Sequence, residues 1–314
     1  MAPRVWLSIA LVCMVPVPLA LAQPGLELSG RLDGSAHLVE LRGQRAYVAA
    51  DDTFRVIDLS NPMRPSELGT LTAPGRIWGI HIAEPYVYLA GGLEGMHIVD
   101  VADPHSPTLL ATHPTAGQAL GVTTSDTTAL VVNLMTGLEI VDIADRRVPA
   151  LLSTHETPGY QWSIGSKGSS VFVVDQPSGL HLFDISDPTT PTPMSVHATD
   201  HAVRAIELGE GDRAYLLAPR AGLIEIVNVA DPEAPRLVGT YEPSGGFRRA
   251  AVNRFDLWLA VGEAGVEIVD VSDPMTPNRV GAYDTPGQAR DVSAGDDLIA
   301  VADGDALLLL SIEQ

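Results

Sequence analysis

A repeat constrains this chain more than any other feature. The segments FRVIDLSNPMRP, MHIVDVADPHSP, LEIVDIADRRVP, LHLFDISDPTTP, IEIVNVADPEAP and VEIVDVSDPMTP recur along it. Their shared polar position falls at Asp58, Asp100, Asp142, Asp184, Asn228 and Asp270, spaced by 42 residues four times and by 44 once. A degenerate seventh copy, LLLLSI, puts Ser311 at the same position 41 residues after Asp270. A fixed period of this length means one supersecondary unit stacked on copies of itself.

Each copy holds four short apolar stretches separated by Gly, Pro and Asp. In the last complete unit these are RVGAYD (279–284), ARDVSA (289–294), LIAVAD (298–303) and LLLLSI (307–312). Alternating or continuous apolar residues between such breakers predict strands, and seven units of four strands leave no room for helices. Aromatic residues make up only 5% of the chain, so Val, Ile, Leu and Ala must fill the space between sheets. That suits sheets buried on both faces. A four-stranded unit of this length is a propeller blade, and the sequence predicts an all-β, seven-bladed β-propeller with four antiparallel strands per blade.

The two ends predict how the ring closes. LELSGRL (26–32) matches the first strand of the unit, and LLLLSI matches the last. If each blade begins at the ARDVSA-type strand, the final blade lacks its outer strand and residues 26–32 supply it, hiding a strand edge. A frame that closes without this exchange is the alternative.

The I-V-D-[VI]-[SA]-D-P-x-x-P string, the T-P-G of 157–159 and 285–287 and the A-Y-V-A of 46–49 resemble the LVIVD repeat. The resemblance spans residues 26–312. It implies exported bacterial and archaeal propellers, often parts of larger surface proteins and mostly without an assigned activity. Two departures stand out: Asp145-Arg146 replaces Asp-Pro in the third copy, and no appended domain or anchor is expected here.

Export is also read from the start of the chain. Arg4, the apolar run 5–15 and Ala20-Leu21-Ala22 predict a signal peptide over residues 1–22, leaving a propeller domain of 23–314 that starts at Gln23. Cys13 follows Val12 rather than a small residue, which argues against a lipid anchor. As Cys13 is the only cysteine, the mature chain would have no disulfide, thiol nucleophile or thiolate metal site. No other segment approaches 18 consecutive apolar residues, so no transmembrane segment is expected. We expect a secreted, periplasmic or cell-surface monomer. A net charge of −20 argues against nucleic acid as a partner.

The Asp-x-x-Asp pairs, such as Asp100 with Asp103, read as turn chemistry rather than calcium sites, because two carboxylates are too few for a calcium shell. His113, His155 and His197 occupy equivalent positions on the predicted outermost strand. Blades diverge towards the rim, so these histidines read as aromatic substitutes rather than metal ligands. We expect neither a metal nor a cofactor.

The informative ring follows each T-P-G-like corner, where the chain enters the innermost strand. It comprises His37, Trp78, Leu120, Trp162, Arg204, Arg249 (with Arg248 beside it) and Arg290; a neighbouring ring adds Arg76, Gln118, Tyr160 and Gln288. The repeats differ most here, although these residues converge on the central channel. Arginine forks pair with carboxylate or sulfate, and indoles stack on sugar rings. A pocket for an anionic, ring-containing ligand is one reading; internal ion pairs to Asp291 and Glu207 are the other. Loops such as GGLEG (91–95), NLMTG (133–137), APRAG (218–222) and GEAG (262–265) would form the outer wall. Nucleophile elbows, H-E-x-x-H and phosphate-binding loops are absent from the sequence. The sequence therefore favours a non-catalytic propeller binding a protein or an acidic glycan. The rival is a polysaccharide lyase or hydrolase in which Arg204, Arg249 and Arg290 neutralise a substrate carboxylate while His37 or Tyr160 moves the proton.

Overall fold

The computed structural model describes residues 25–312; the signal segment, Cys13 and Gln23 lie outside them. The described chain forms 28 strands arranged in seven four-stranded antiparallel sheets, with no helix. Blade 1 runs outward through Leu38–Arg42, Arg45–Ala50, Thr53–Asp58 and Ser66–Thr72. Blades 2 to 6 repeat that order, their innermost strands being Gly79–Ala83, Gln118–Ser125, Tyr160–Lys167, Ala205–Gly209 and Arg249–Asn253. Blade 7 consists of Asp291–Ala294, Leu298–Ala302, Gly304–Ile312 and, outermost, Leu26–Ala36. The N-terminal strand thus completes the last blade, antiparallel to its third strand with Leu26 opposite Ile312 and Ala36 opposite Gly304.

Blade position decides strand composition. The middle strands lie between two neighbouring sheets, so both faces are apolar; Met96–Asp100 is buried at four of its five residues. The outermost strands face the rim and are largely exposed, as in Thr192–His197. The core is accordingly a ring of slabs, one between each pair of blades. In blade 7, Leu308 and Leu310 pack against blade 6, while Leu307 and Leu309 pack against blade 1. The unbroken apolar run of LLLLSI serves two slabs at once.

The Asp-x-x-Asp strings are serial turns. Asp100 Oδ1 accepts the Ala102 amide at 2.9 Å and Asp103 Oδ1 accepts the His105 amide at 3.0 Å. Asp270 and Asp273 do the same for Ser272 and Met275. In the third copy, the Arg146 guanidinium lies 5.1 Å from the Tyr86 ring of the preceding blade.

The outer-strand residues have a further role as braces between blades. His113 Nε2 lies 3.4 Å from Glu139 of blade 3, His197 Nε2 lies 3.8 Å from Glu225 of blade 5, and the Tyr241 hydroxyl donates to Glu267 of blade 6 at 2.5 Å. Each glutamate interrupts an otherwise apolar strand (L-E-I-V-D, I-E-I-V-N, V-E-I-V-D) and is almost fully buried. These histidines therefore do more than substitute for an aromatic ring. Among the described residues no cluster of three or more His, Cys, Asp or Glu is placed to hold a metal ion.

Candidate functional site

The seven innermost strands enclose a channel of about 620 Å3. Each begins after a connector on one face of the disc, and in five blades the backbone enters with the same hydrogen bond to the second strand, while Leu120 and Trp162 sit at the bulges that open blades 3 and 4. His37 N donates to Ala49 O, Trp78 N to Ala90 O, Arg204 N to Leu217 O, Arg248 N to Ala260 O and Arg290 N to Ala302 O, at 2.8 to 3.0 Å. These bonds define one ring at the channel mouth. They also correct the alignment of blade 6: Arg248 occupies the ring position, whereas Arg249 opposite Ala260 lies one step deeper, level with Leu38, Gly79 and Asp291. The longer fifth repeat had blurred that count.

Neighbouring blades give the mouth two different halves. Blades 5, 6, 7 and 1 contribute Arg204, Arg248, Arg290 and His37; blades 2, 3 and 4 contribute Trp78, Leu120 and Trp162. Cations meet indoles at both boundaries. The Arg204 guanidinium lies 4.3 Å from the Trp162 ring and Arg76 lies 4.8 Å from Trp78. Trp78, Trp162, Arg204, Arg248 and Arg249 line the channel, while His37, Tyr160 and Arg290 do not. Tyr160, opposite Gln176 at the start of its strand, is exposed on the mouth side of the disc, its top face. Burial lowers the basicity of the His37 imidazole, and the nearby Arg290 lowers it further. The loops around Gly92 and Gly262 flank the mouth, each bridging to the start of the following blade, at Ala119 in its innermost strand and at Ala289 just before that strand.

No direct ion pair to Asp291 or Glu207 accounts for the arginines, although Arg249 lies near enough to favour the charged form of both carboxyls. Arg204, Arg248, Arg249 and Arg290 form no ion pair with any described carboxylate. Asp291 is instead occupied structurally, its two oxygens accepting the backbone amides of Val39 and Val292 at 3.0 Å each. Arg249 reaches across the channel and donates to the Trp78 carbonyl at 3.0 Å. Buried nitrogens at the mouth lack hydrogen-bond partners: Arg204 Nε, Arg290 Nε, Trp162 Nε1 and His37 Nδ1. Burial and the nearby Arg220 make Arg204 less basic than a free arginine. An uncompensated set of donors of this kind is what an anion would satisfy.

Below the mouth lies a belt that the repeat alignment had not singled out. Glu40, His81, Thr123, Glu207 and Ser293 occupy one register of the channel wall. Their signal was a polar residue three positions after the ring residue in strands that are otherwise largely apolar. Burial first, then the Asp291 carboxylate, pushes Glu207 up to about 8. Burial pushes Glu40 up to about 7 and Asp291 up to about 6, and it drives His81 down to about 4. The His81 ring is tied to Thr124 Oγ1 of the next blade at 3.0 Å.

A raised carboxyl binds its proton more tightly in the folded state. Glu207 therefore lowers stability progressively as pH rises from about 4.5 to about 8, and its full penalty is present above that. Glu207→Gln should melt with the wild type near pH 4 and a few degrees higher at pH 8.5, a gain of about 2 kcal/mol after allowing for channel water. Parallel melting curves across that range test this; equal midpoints at pH 8.5 would show that the carboxylate ionises freely.

The LVIVD repeat family model matches residues 33–73, 74–115, 158–199 and 257–285. The unmatched stretches include the Arg146-containing copy and the longer fifth repeat. No curated protein matches the sequence. Among solved structures, the chain is similar to the Myceliophteria thermophila Cps50 (Swd1) beta-propeller domain, with a TM-score of 0.77 at 12% identity over 92% of this chain and 100% of that one. It is also similar to the RRP9 WD40 repeats (TM-score 0.77, 8% identity, 92% and 97% covered) and to U3-55K (TM-score 0.76, 8% identity, 91% and 98% covered). At such identities the likeness concerns the fold alone. Four family matches along a ring of seven sheets lead to one conclusion: this chain carries LVIVD repeats and folds as a seven-bladed β-propeller.

Proposed function

We propose that this chain is an exported, non-catalytic scaffold that binds an anionic ligand, a protein or an acidic glycan, through its top face and channel mouth. The observation that carries this is the set of three mouth arginines, Arg204, Arg248 and Arg290, without a carboxylate partner, in a chain of net charge −20. In a strongly acidic protein, clustered cations lacking intramolecular partners repel one another, and an external anion relieves that repulsion. Propeller repeats suit such a role, since a rigid ring holds variable residues in fixed positions.

The test is calorimetric titration of the purified chain with polygalacturonate and with polyglutamate at low and physiological salt. At least one polyanion should bind, more weakly as salt rises. Arg204→Ala with Arg290→Ala should lower that affinity by about a hundredfold, since charge-assisted bonds contribute roughly 1.5–3 kcal/mol each. Because the substitutions also remove repulsion, the melting point should hold or rise. A variant that melts several degrees earlier, together with a wild type that binds neither polyanion, would make the arginines structural braces.

The raised carboxyls of Glu40 and Glu207 favour a second reading, a lyase or hydrolase acting on an acidic saccharide, because such shifts accompany acid–base sites. Chain shortening of polygalacturonate, lost in Glu207→Gln, would establish it.

A further inference from the structure

We infer that the ligand end received at the mouth is a carboxylated sugar ring, as in a uronate-containing polysaccharide, rather than an acidic peptide. This rests on the anion-binding reading and specifies which anion.

Three observations carry it. The first is the division of the mouth. Arg204, Arg248 and Arg290 stand on consecutive blades, and Trp78, Leu120 and Trp162 occupy the next ring positions beyond His37. A uronate ring divides the same way, with C–H faces that stack on indoles and a carboxylate projecting from the edge. An acidic peptide side chain offers the carboxylate but only a thin aliphatic stem.

The second is the hydrogen bond from Arg249 to the Trp78 carbonyl. It joins blade 6 to blade 2 across the channel and sets a guanidinium beside the indole half. A charged donor on a neutral carbonyl is readily exchanged for a carboxylate, which forms the stronger bond. A ring lying against Trp78 would present its carboxylate to this fork.

The third is what lies beneath. Three residues down the strands, roughly 10 Å by strand rise, the wall changes from guanidinium to carboxyl groups at Glu40 and Glu207. Asp291 is engaged by two backbone amides, whereas Glu207 makes no hydrogen bond to any described group. Thr123 and Ser293 complete the belt with hydroxyls. Sugar hydroxyls both donate and accept, so they match a belt of carboxyls and hydroxyls. At about 620 Å3 the channel has the size of a small-molecule site, suited to a chain end rather than a flat protein surface.

The experiment uses the full folded chain and three probes at one salt concentration: a short oligogalacturonate, an oligoglutamate of equal charge and a neutral oligogalactan. Oligogalacturonate should bind at least about tenfold more tightly than oligoglutamate, and the neutral sugar should bind weakly or not at all. Leu120 already occupies the ring position in blade 3, so Trp78→Leu and Trp162→Leu are substitutions the fold accommodates. Each should weaken oligogalacturonate by about tenfold, the scale of one lost aromatic contact, and leave residual oligoglutamate binding within about twofold. Arg249→Gln should weaken oligogalacturonate with the melting point kept. Equal or tighter oligoglutamate binding, or equal losses for both polyanions in the tryptophan variants, would overturn the sugar-ring inference while leaving the anion site standing. Binding of neither polyanion would overturn both.

Discussion

A chain lacking residues 23–36 is expected to lose cooperative folding, or to melt about 10–20 °C below the full propeller. The removed segment is the outer strand of blade 7, paired with the third strand from Leu26 opposite Ile312 to Ala36 opposite Gly304. Its loss bares the edge of the strand holding Leu307 to Leu310, all fully buried in the intact ring. It also removes Ala36 and Leu32 from the slab between blades 7 and 1, the contact that closes the circle. Eight paired positions and part of an apolar slab together correspond to at least about 5 kcal/mol, a large share of a domain's net stability. The exposed edge should also drive aggregation. Circular dichroism melts of the truncated and full chains decide this, and adding a synthetic peptide of residues 23–36 should restore part of the midpoint. A truncated protein that melts within two or three degrees of the full chain would mean that the ring does not depend on this closure.

Gly239→Ala should be strongly damaging, lowering stability by about 3 kcal/mol or more. Gly239 lies on the outer strand of blade 5, and a Cβ there would fall 1.7 Å from the Pro274 carbonyl oxygen in the turn of blade 6. Both groups belong to backbone, so neither can rotate away and the blades themselves must separate. The same approach recurs where a Cβ on Gly30 would meet Pro62 O at 1.9 Å and one on Gly69 would meet Pro104 O at 2.5 Å. Blades 3 and 4 solve the contact differently: Ser153 and Ser195 donate their hydroxyls to Pro188 O and Pro232 O at 2.7 and 2.5 Å. The rim contact is thus tight with glycine in blades 1, 5 and 7 and bridged by serine in blades 3 and 4, whereas blade 2 carries Ala111 there and Gly281 of blade 6 faces only Ile268 of its own blade. Gly246→Ala is the control, since nothing lies within 4 Å of its Cβ site; it should be neutral or slightly stabilising. If both variants melt with the wild type, the blades are not packed this closely.

Much of the architecture is legible in single repeats. The I-V-D string, the apolar alternation and the Asp-x-x-Asp turns are short-range features, fixed by backbone hydrogen bonds and side-chain oxygens two residues away. Asp100 and Asp103 find their partners at Ala102 and His105, within the segment that suggested them. Counting copies gave the number of blades. The mismatch between the first and last strands gave the closure, because a buried strand lacking an outer neighbour has to be completed from elsewhere. The variable ring after each corner was visible for the same reason, since positions that differ among otherwise matching repeats are not held there by the fold.

The tertiary structure decided the rest, and it did so wherever partners lie far apart in sequence. Arg249 meets the Trp78 carbonyl across 171 positions, and Asp291 binds the Val39 amide across 252. Repeat alignment relates these residues by rotation about the channel and carries no information about which side chains meet across it. It left Asp291 open as a counter-ion for the arginines, whereas the backbone amides of Val39 and Val292 engage that carboxylate directly. It paired Arg249 with the ring residues, whereas hydrogen-bond register gives that place to Arg248. Local pattern specified the strands and their order; long-range packing around a closed ring specified which charges are left without partners.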